Sequence, residues 1–247
     1  MQYRNGLSVL GFGCMRFPMR MGAIDRDATE LLILEAIEAG VNYFDTAYLY
    51  PGSEEALGVV LERDGLRKLV NIATKLPHGK VRSAADLDKL FATSLERLRT
   101  DYVDYYLIHN VSTCEQWERL AEFGVVEWIE RQKKKGAIRN IGFSFHGSAS
   151  EFDKMLDAYD WDFVQIQYNY VNEHYQAGRK GLENAAKRGM PVIVMEPLLG
   201  GRLADKLPEK ASRALAEVNP DLGNAGWAFK WLYDQPEVTV EIGRAHV

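Results

Sequence analysis

The stretch Leu69–His109, "LVNIATKLPHGKVRSAADLDKLFATSLERLRTDYVDYYLIH", decides the fold. It opens on an apolar, β-branched run that ends at Lys75 and closes on a second such run, from Tyr102, that ends at His109. Runs of this composition read as strands. Between them Leu87, Leu90, Phe91, Leu95 and Leu98 fall at steps of three and four, one apolar stripe of a helix that begins after Ser83. Strand, helix and strand in this order predict two parallel strands joined by a helical crossover.

Outward from that unit the alternation continues. Strand-like runs are "LSVLGFG" from Leu7, "VNYF" from Val41, "IRNIGFS" from Ile138, "FVQIQY" from Phe163, "PVIVM" from Pro191 and "EVTVEI" from Glu237. Helical patterns begin near Asp27, Ser53, Cys114, Ser148, Tyr175 and Asp221. Several strands are almost continuously apolar, as expected when both faces are buried. Counted together they number about eight, which predicts an α/β fold of the (β/α)8 TIM barrel type. A doubly wound open sheet is the competitor, but "GFGCMRFP" lacks the G-x-G-x-x-G spacing that such a sheet places after its first strand. The run "EVTVEI" is a doubtful eighth strand. Gly200–Asn224, the longest stretch with no strand signal, reads as a loop folded over something.

A length of 247 residues fits one barrel domain, expected over residues 1–240. The net charge of -5 gives no footprint for nucleic acid. No apolar run approaches the roughly 18 residues that span a bilayer, and the N-terminus lacks the pattern of a signal peptide. Cys14 and Cys114 are far apart and unpaired in spacing, so neither a disulfide framework nor a cysteine metal site is indicated, and a reducing cytoplasm is the expected compartment.

In such a barrel the strand ends converge on one face, so polar residues that terminate apolar runs are the candidates for chemistry. Asp45, Tyr50, Lys75 and His109 stand out, from three successive strands. Singly, each is more often a surface ion pair or a packing residue; their joint placement in chain order carries the functional reading. An ammonium about 4 Å from a phenol, at an effective dielectric of roughly 20, favours the phenolate by on the order of 4 kcal/mol, or about three pKa units. Lys75 is therefore expected to bring Tyr50 toward the working range of a general acid, with Asp45 offsetting the cost of burying the ammonium. A neutral His109 suits orientation of a carbonyl. Tyr43, Tyr48, Tyr105, Tyr106, Tyr168, Trp117, Phe123 and Trp128 are assigned to packing.

These residues, with "LGFGCMRFP", "YFDTAYLYPGSEEALG", "IATKLP", "KKGAIRNIGFSFHG", "VQIQYNYVN" and "VIVMEPLLGGRLA", resemble the aldo-keto reductases. The resemblance implies reversible hydride transfer between a nicotinamide cofactor, NADPH or NADH, and an aldehyde or ketone, with Asp45, Tyr50, Lys75 and His109 as the catalytic tetrad. It also implies that Ser144 and Gln165 bind the nicotinamide carboxamide and that Met195 takes the place of a side chain packed on its ring. Pro197, Leu198 and Gly200 would run along the pyrophosphate, and Met15 and Asp45 also belong to the cofactor site. Phe145, where many members have Asn, and Leu199, where a basic residue often stands, depart from the pattern. A cofactor-binding barrel with little turnover is the alternative from another class. The wording "VMEPL" resembles a bacterial branch whose longer members carry a C-terminal ferredoxin-like extension, so iron-sulfur clusters are expected only if such an extension exists. The carbonyl substrate and the oligomeric state are not readable.

The resemblance implies a loop and helix after the eighth strand that hold the adenosine end of the cofactor. The chain instead ends in "EIGRAHV", residues 241–247, read as a non-native tail on a shortened barrel that lacks its last helix. Weak cofactor binding is the expected consequence.

Overall fold

A computed structural model of the chain describes residues 1–244. Eight parallel strands close into a barrel: Leu10–Gly13, Tyr43–Asp45, Asn71–Leu76, Val103–Val111, Ile138–Phe145, Phe163–Gln167, Val192–Met195 and Val238–Arg244. Helices cross between them on the outside, among them Arg26–Glu38, Ser53–Leu61, Ala84–Leu98, Ala149–Ala158, Gly178–Lys187 and Gly223–Tyr233. The TIM-barrel expectation holds. Among the described residues no helix is long and apolar enough to cross a membrane.

The apolar residues divide into two cores by the two-residue period of a strand. Tyr43, Ala73, Leu107, Phe163, Ile193 and Val240 fill the barrel, with Leu7 among them. Phe44, Ile72, Ile108, Val164 and Val194, one step away, belong to the larger core shared with the helices. Gly142 makes room inside, because a Cβ there would lie 2.7 Å from the ring of Phe163. This parity has a consequence for chemistry. Asp45, Lys75, His109, Gln165 and Met195 each stand two residues beyond an inward-facing core residue, so their side chains turn toward the axis at the C-terminal mouth.

Three expectations are corrected. The doubtful eighth strand is formed, and Glu241–Arg244, set apart as tail, pair with Leu10–Gly13 to close the ring; alternating apolar residues suffice for pairing once two neighbours offer free edges. Residues 245–247 of that tail lie outside the described residues. Gly200–Asn224 is mostly helical, as Arg202–Asp205 and Glu209–Val218, because its Ala, Leu, Lys, Arg and Glu content favours helix over loop. The helix from Cys114 ends at Glu122 and a second, Val125–Lys134, begins after Gly124, whose φ of 75° breaks the run. The strand from Tyr102 continues past His109 to Val111.

Below the barrel, an N-terminal hairpin pairs Tyr3–Arg4 with Leu7–Ser8. Arg4 donates to the carbonyls of Tyr233 and Gln235, both at 2.6 Å, and to that of Val238, tying the end of the last helix to the last strand. Asp104, 2% exposed, accepts from Arg67 at 2.8 Å and Arg139 at 2.7 Å. Both guanidinium groups face the Tyr102 ring, at 4.0 and 4.1 Å. Asp104→Ala leaves Arg67 without its buried partner and is expected to cost about 3 kcal/mol in urea unfolding.

Glu241 faces outward under the last helix, fully buried, with its Oε1 accepting from Tyr233 at 3.1 Å. Burial pushes its carboxyl up to about 8. The folded chain therefore holds a proton that the unfolded chain releases near 4.5, so stability falls as pH rises from about 4.5 to about 8 and levels off above. Glu241→Leu is expected to raise thermal stability most at pH 8, by on the order of 3 kcal/mol, and less at pH 5.

Candidate active site

The four residues from successive strands meet at the mouth. Lys75, 1% exposed, donates to Asp45 Oδ1 at 2.7 Å and to the Thr46 carbonyl at 2.6 Å. Its nitrogen has a third proton to give and lies 5.2 Å from the centre of the Tyr50 ring. Burial works against the charge on Lys75, but Asp45 and Tyr50 outweigh it and hold the ammonium above its ordinary value. Burial pushes the Asp45 carboxyl up, and Lys75 pulls it back.

Tyr50 sits on a loop pinned at several points. Its N–H donates to the Ala47 carbonyl at 3.0 Å, and its carbonyl accepts from Ser53 N at 3.1 Å. Ser53 Oγ bonds Thr46 Oγ1 at 2.7 Å and the Cys14 carbonyl at 2.9 Å. The expectation for the phenol needs correction. Burial is the largest influence and moves Tyr50 above its ordinary value, with Lys75 pulling in the opposite direction. The ammonium lowers the phenol relative to a buried site without it, and not relative to water; desolvation disfavours a phenolate as surely as the neighbouring cation favours it.

His109 stands at a bulge. Pairing with the next strand slips between Ile108 and Val111, and Asn110 adopts φ 59°. Such a bulge re-aims a side chain beside a site. The imidazole meets the Tyr50 ring edge-on, with centroids 5.9 Å apart. Burial, then Lys75, His146 and His78, lower its pKa to about 3, so it is neutral at every physiological pH.

Around this group lie the other expected residues. Ser144, buried on the fifth strand, accepts from Asn110 N at 2.7 Å and keeps its own proton to give. Gln165 is buried on the sixth strand, with Oε1 unpartnered among the described residues. Met195 ends the seventh strand. Pro197, Leu198 and Gly200 follow in a loop where Glu196, Leu199, Gly200 and Gly201 all have positive φ. A Cβ at Gly200 would meet nothing within 4 Å, so the backbone angle rather than close approach calls for glycine there. Met15, 59% exposed, lies beyond the first strand on a cleft of about 390 Å³ shared with Phe17, Met19, Ile24 and Pro51.

Sequence reading passed over Gln167. It is buried one period beyond Gln165, with both carboxamide atoms unpartnered among the described residues, and counting by twos along the strand would have found it. His78 and His146 were also missed; both lie close enough to act on the His109 imidazole, and no strand-end rule selects them.

A closed parallel barrel with this constellation at its mouth defines a class, and comparison agrees with it. The profile of the Aldo/keto reductase family matches residues 9–246, and the chain belongs to that family. It is 25% identical over 202 residues to a Schizosaccharomyces pombe aldo-keto reductase named for NADP(+), matching 77% of this chain and 58% of that one. It is 30% identical over 208 residues to an aldo-keto reductase of Strobilurus tenacellus, matching 80% of this chain and 60% of that one. The chain thus spans about three fifths of the length of these relatives. The holo form of a Bacillus halodurans aldo-keto reductase shares the fold, with a TM-score of 0.78 at 24% identity over 97% of this chain and 83% of that one.

With its pKa near 3, His109 is expected to show no change of charge between pH 5 and 8. Histidine NMR titration, assigned through His109→Asn, checks this; a midpoint near 6.5 would contradict it.

Proposed function

We propose that this chain is an NAD(P)H-dependent oxidoreductase that interconverts an aldehyde or ketone and its alcohol, with Tyr50 as proton donor. One observation carries the reading: a buried ammonium, held by Asp45 and the Thr46 carbonyl, lies beside the ring of Tyr50, and a neutral imidazole meets the same ring edge-on. Such an arrangement has little value to stability alone, since a buried ion pair seldom improves on apolar packing.

The cofactor fits the groups present. A carboxamide has both an acceptor and a donor, and Ser144 with a proton to give beside the unpartnered Gln165 Oε1 complements both. Met195, Pro197, Leu198, Gly200 and Met15 are assigned to the remainder of that site, and NADPH is preferred to NADH on the name of the yeast relative. Bound nicotinamide supplies the hydride.

The chain's own residues manage the proton. Tyr50 gives its phenolic proton to the carbonyl oxygen as negative charge grows there, and Lys75 stabilises the phenolate left behind. Asp45 keeps Lys75 charged and in place. His109 donates to the same oxygen without competing for the proton, its neutrality secured by burial. The compartment proposed is the cytoplasm.

NADPH oxidation with a panel of small aldehydes and ketones tests the proposal. Tyr50→Phe is expected to lose roughly 10²- to 10⁴-fold in turnover while still quenching NADPH fluorescence on binding. Full turnover by that variant would overturn the assignment.

A further inference from the structure

A second polar cluster, built on the buried Glu54 and Thr74, lies next to the Tyr50 loop and is not used by the proton transfer. Glu54 is 1% exposed in the first turn of the helix Ser53–Leu61. Its Oε1 accepts from Thr74 Oγ1 at 2.6 Å and its Oε2 from Arg97 Nη1 at 3.2 Å. The same Nη1 donates to the Tyr48 carbonyl at 3.3 Å, and the guanidinium carbon stands 4.5 Å from the centre of the Tyr48 ring. Arg97 Nε reaches Glu55 at 3.1 Å.

The cluster exists because two helices come unusually close. A Cβ at Gly58 would lie 2.3 Å from the Arg97 carbonyl oxygen and 2.7 Å from the carbonyl carbon of Leu98. Only a residue without one lets Glu54 and Arg97 meet.

What the cluster joins gives it meaning. Thr74 directly precedes Lys75 on the third strand, and Tyr48 stands two residues before Tyr50 in the loop. Ser53 already fixes the far end of that loop to Cys14 and Thr46. The near end is tied to the third strand through Arg97 and Glu54. We infer that Glu54 and Arg97 are positioning residues: together they brace the Tyr48 segment against Thr74 and so set the separation of the Tyr50 phenol and the Lys75 ammonium. This rests on Tyr50 as the proton donor.

Arg97→Met releases the loop while sparing every group at the mouth. It is expected to lower turnover of a small aldehyde by roughly ten- to a hundredfold, as sub-ångström to 1 Å misplacements do, with the NADPH dissociation constant little changed. Arg97→Lys, which can keep the charge but not the fork, recovers part of the rate. Should the lone Glu54 carboxylate prevent folding, the double variant Glu54→Gln, Arg97→Met removes both charges and is expected to be as slow. A shift of the Tyr50 phenol titration in these variants, followed by ¹³C-tyrosine NMR, reads the same geometry without turnover. A lowered melting temperature with wild-type turnover and an unmoved Tyr50 titration would overturn the brace, as would equal losses in turnover and NADPH affinity. Tyr50→Phe separates the two proposals: if it stays active, the proton-donor reading fails; if it is inactive while the Arg97 variants match wild type, only the brace fails.

Discussion

A charged amine buried in the mouth of a barrel is a severe constraint on everything around it. Lys75 is almost fully removed from water, where an ammonium alone is far from stable, and its charge survives because Asp45 and the Thr46 carbonyl each accept one of its protons. Those two partners come from the end of one strand and the residue after it. The loop that follows is therefore fixed where it starts, and Tyr50 arrives beside the remaining proton of the amine. Removing Asp45 would leave an unpaired buried cation, so the geometry and the charge state stand or fall together.

The same constraint explains the opposing influences on Tyr50. A wetter site would leave the phenol near its ordinary value and weaken the pull of Lys75, while a drier one without Lys75 would hold the proton too firmly. Burial and cation act against each other at Tyr50, and burial has the larger effect. His109 answers to the same surroundings: burial first, and then the ammonium, lower its pKa and keep the imidazole neutral.

Much of this was legible in the sequence. Strand–helix alternation gave the barrel, and apolar runs ending in Asp45, Lys75 and His109 picked out residues that the fold brings together at its mouth, because both depend on local pattern. What was missed depends on tertiary context. Burial reverses the net direction at Tyr50, which no pairwise estimate with Lys75 contains. The bulge at His109–Asn110 and the left-handed turns after Met195 leave no composition signal of their own. Glu54 and Arg97 carry no signal of their own in the sequence, because only the close approach at Gly58 brings their helices together. Gln167 was within reach, since it shares the face of Gln165, while the helices after Gly200 were obscured by flanking Gly and Pro.

The central claim is that the Lys75 ammonium lowers the pKa of the Tyr50 phenol relative to the same buried site without it. The most direct measurement is the titration of that phenol by ¹³C-tyrosine NMR in the unaltered protein and in Lys75→Met, with Tyr50→Phe identifying the resonance. The account requires the Tyr50 midpoint to move upward when the amine is removed. A midpoint that stays in place or moves downward would contradict it.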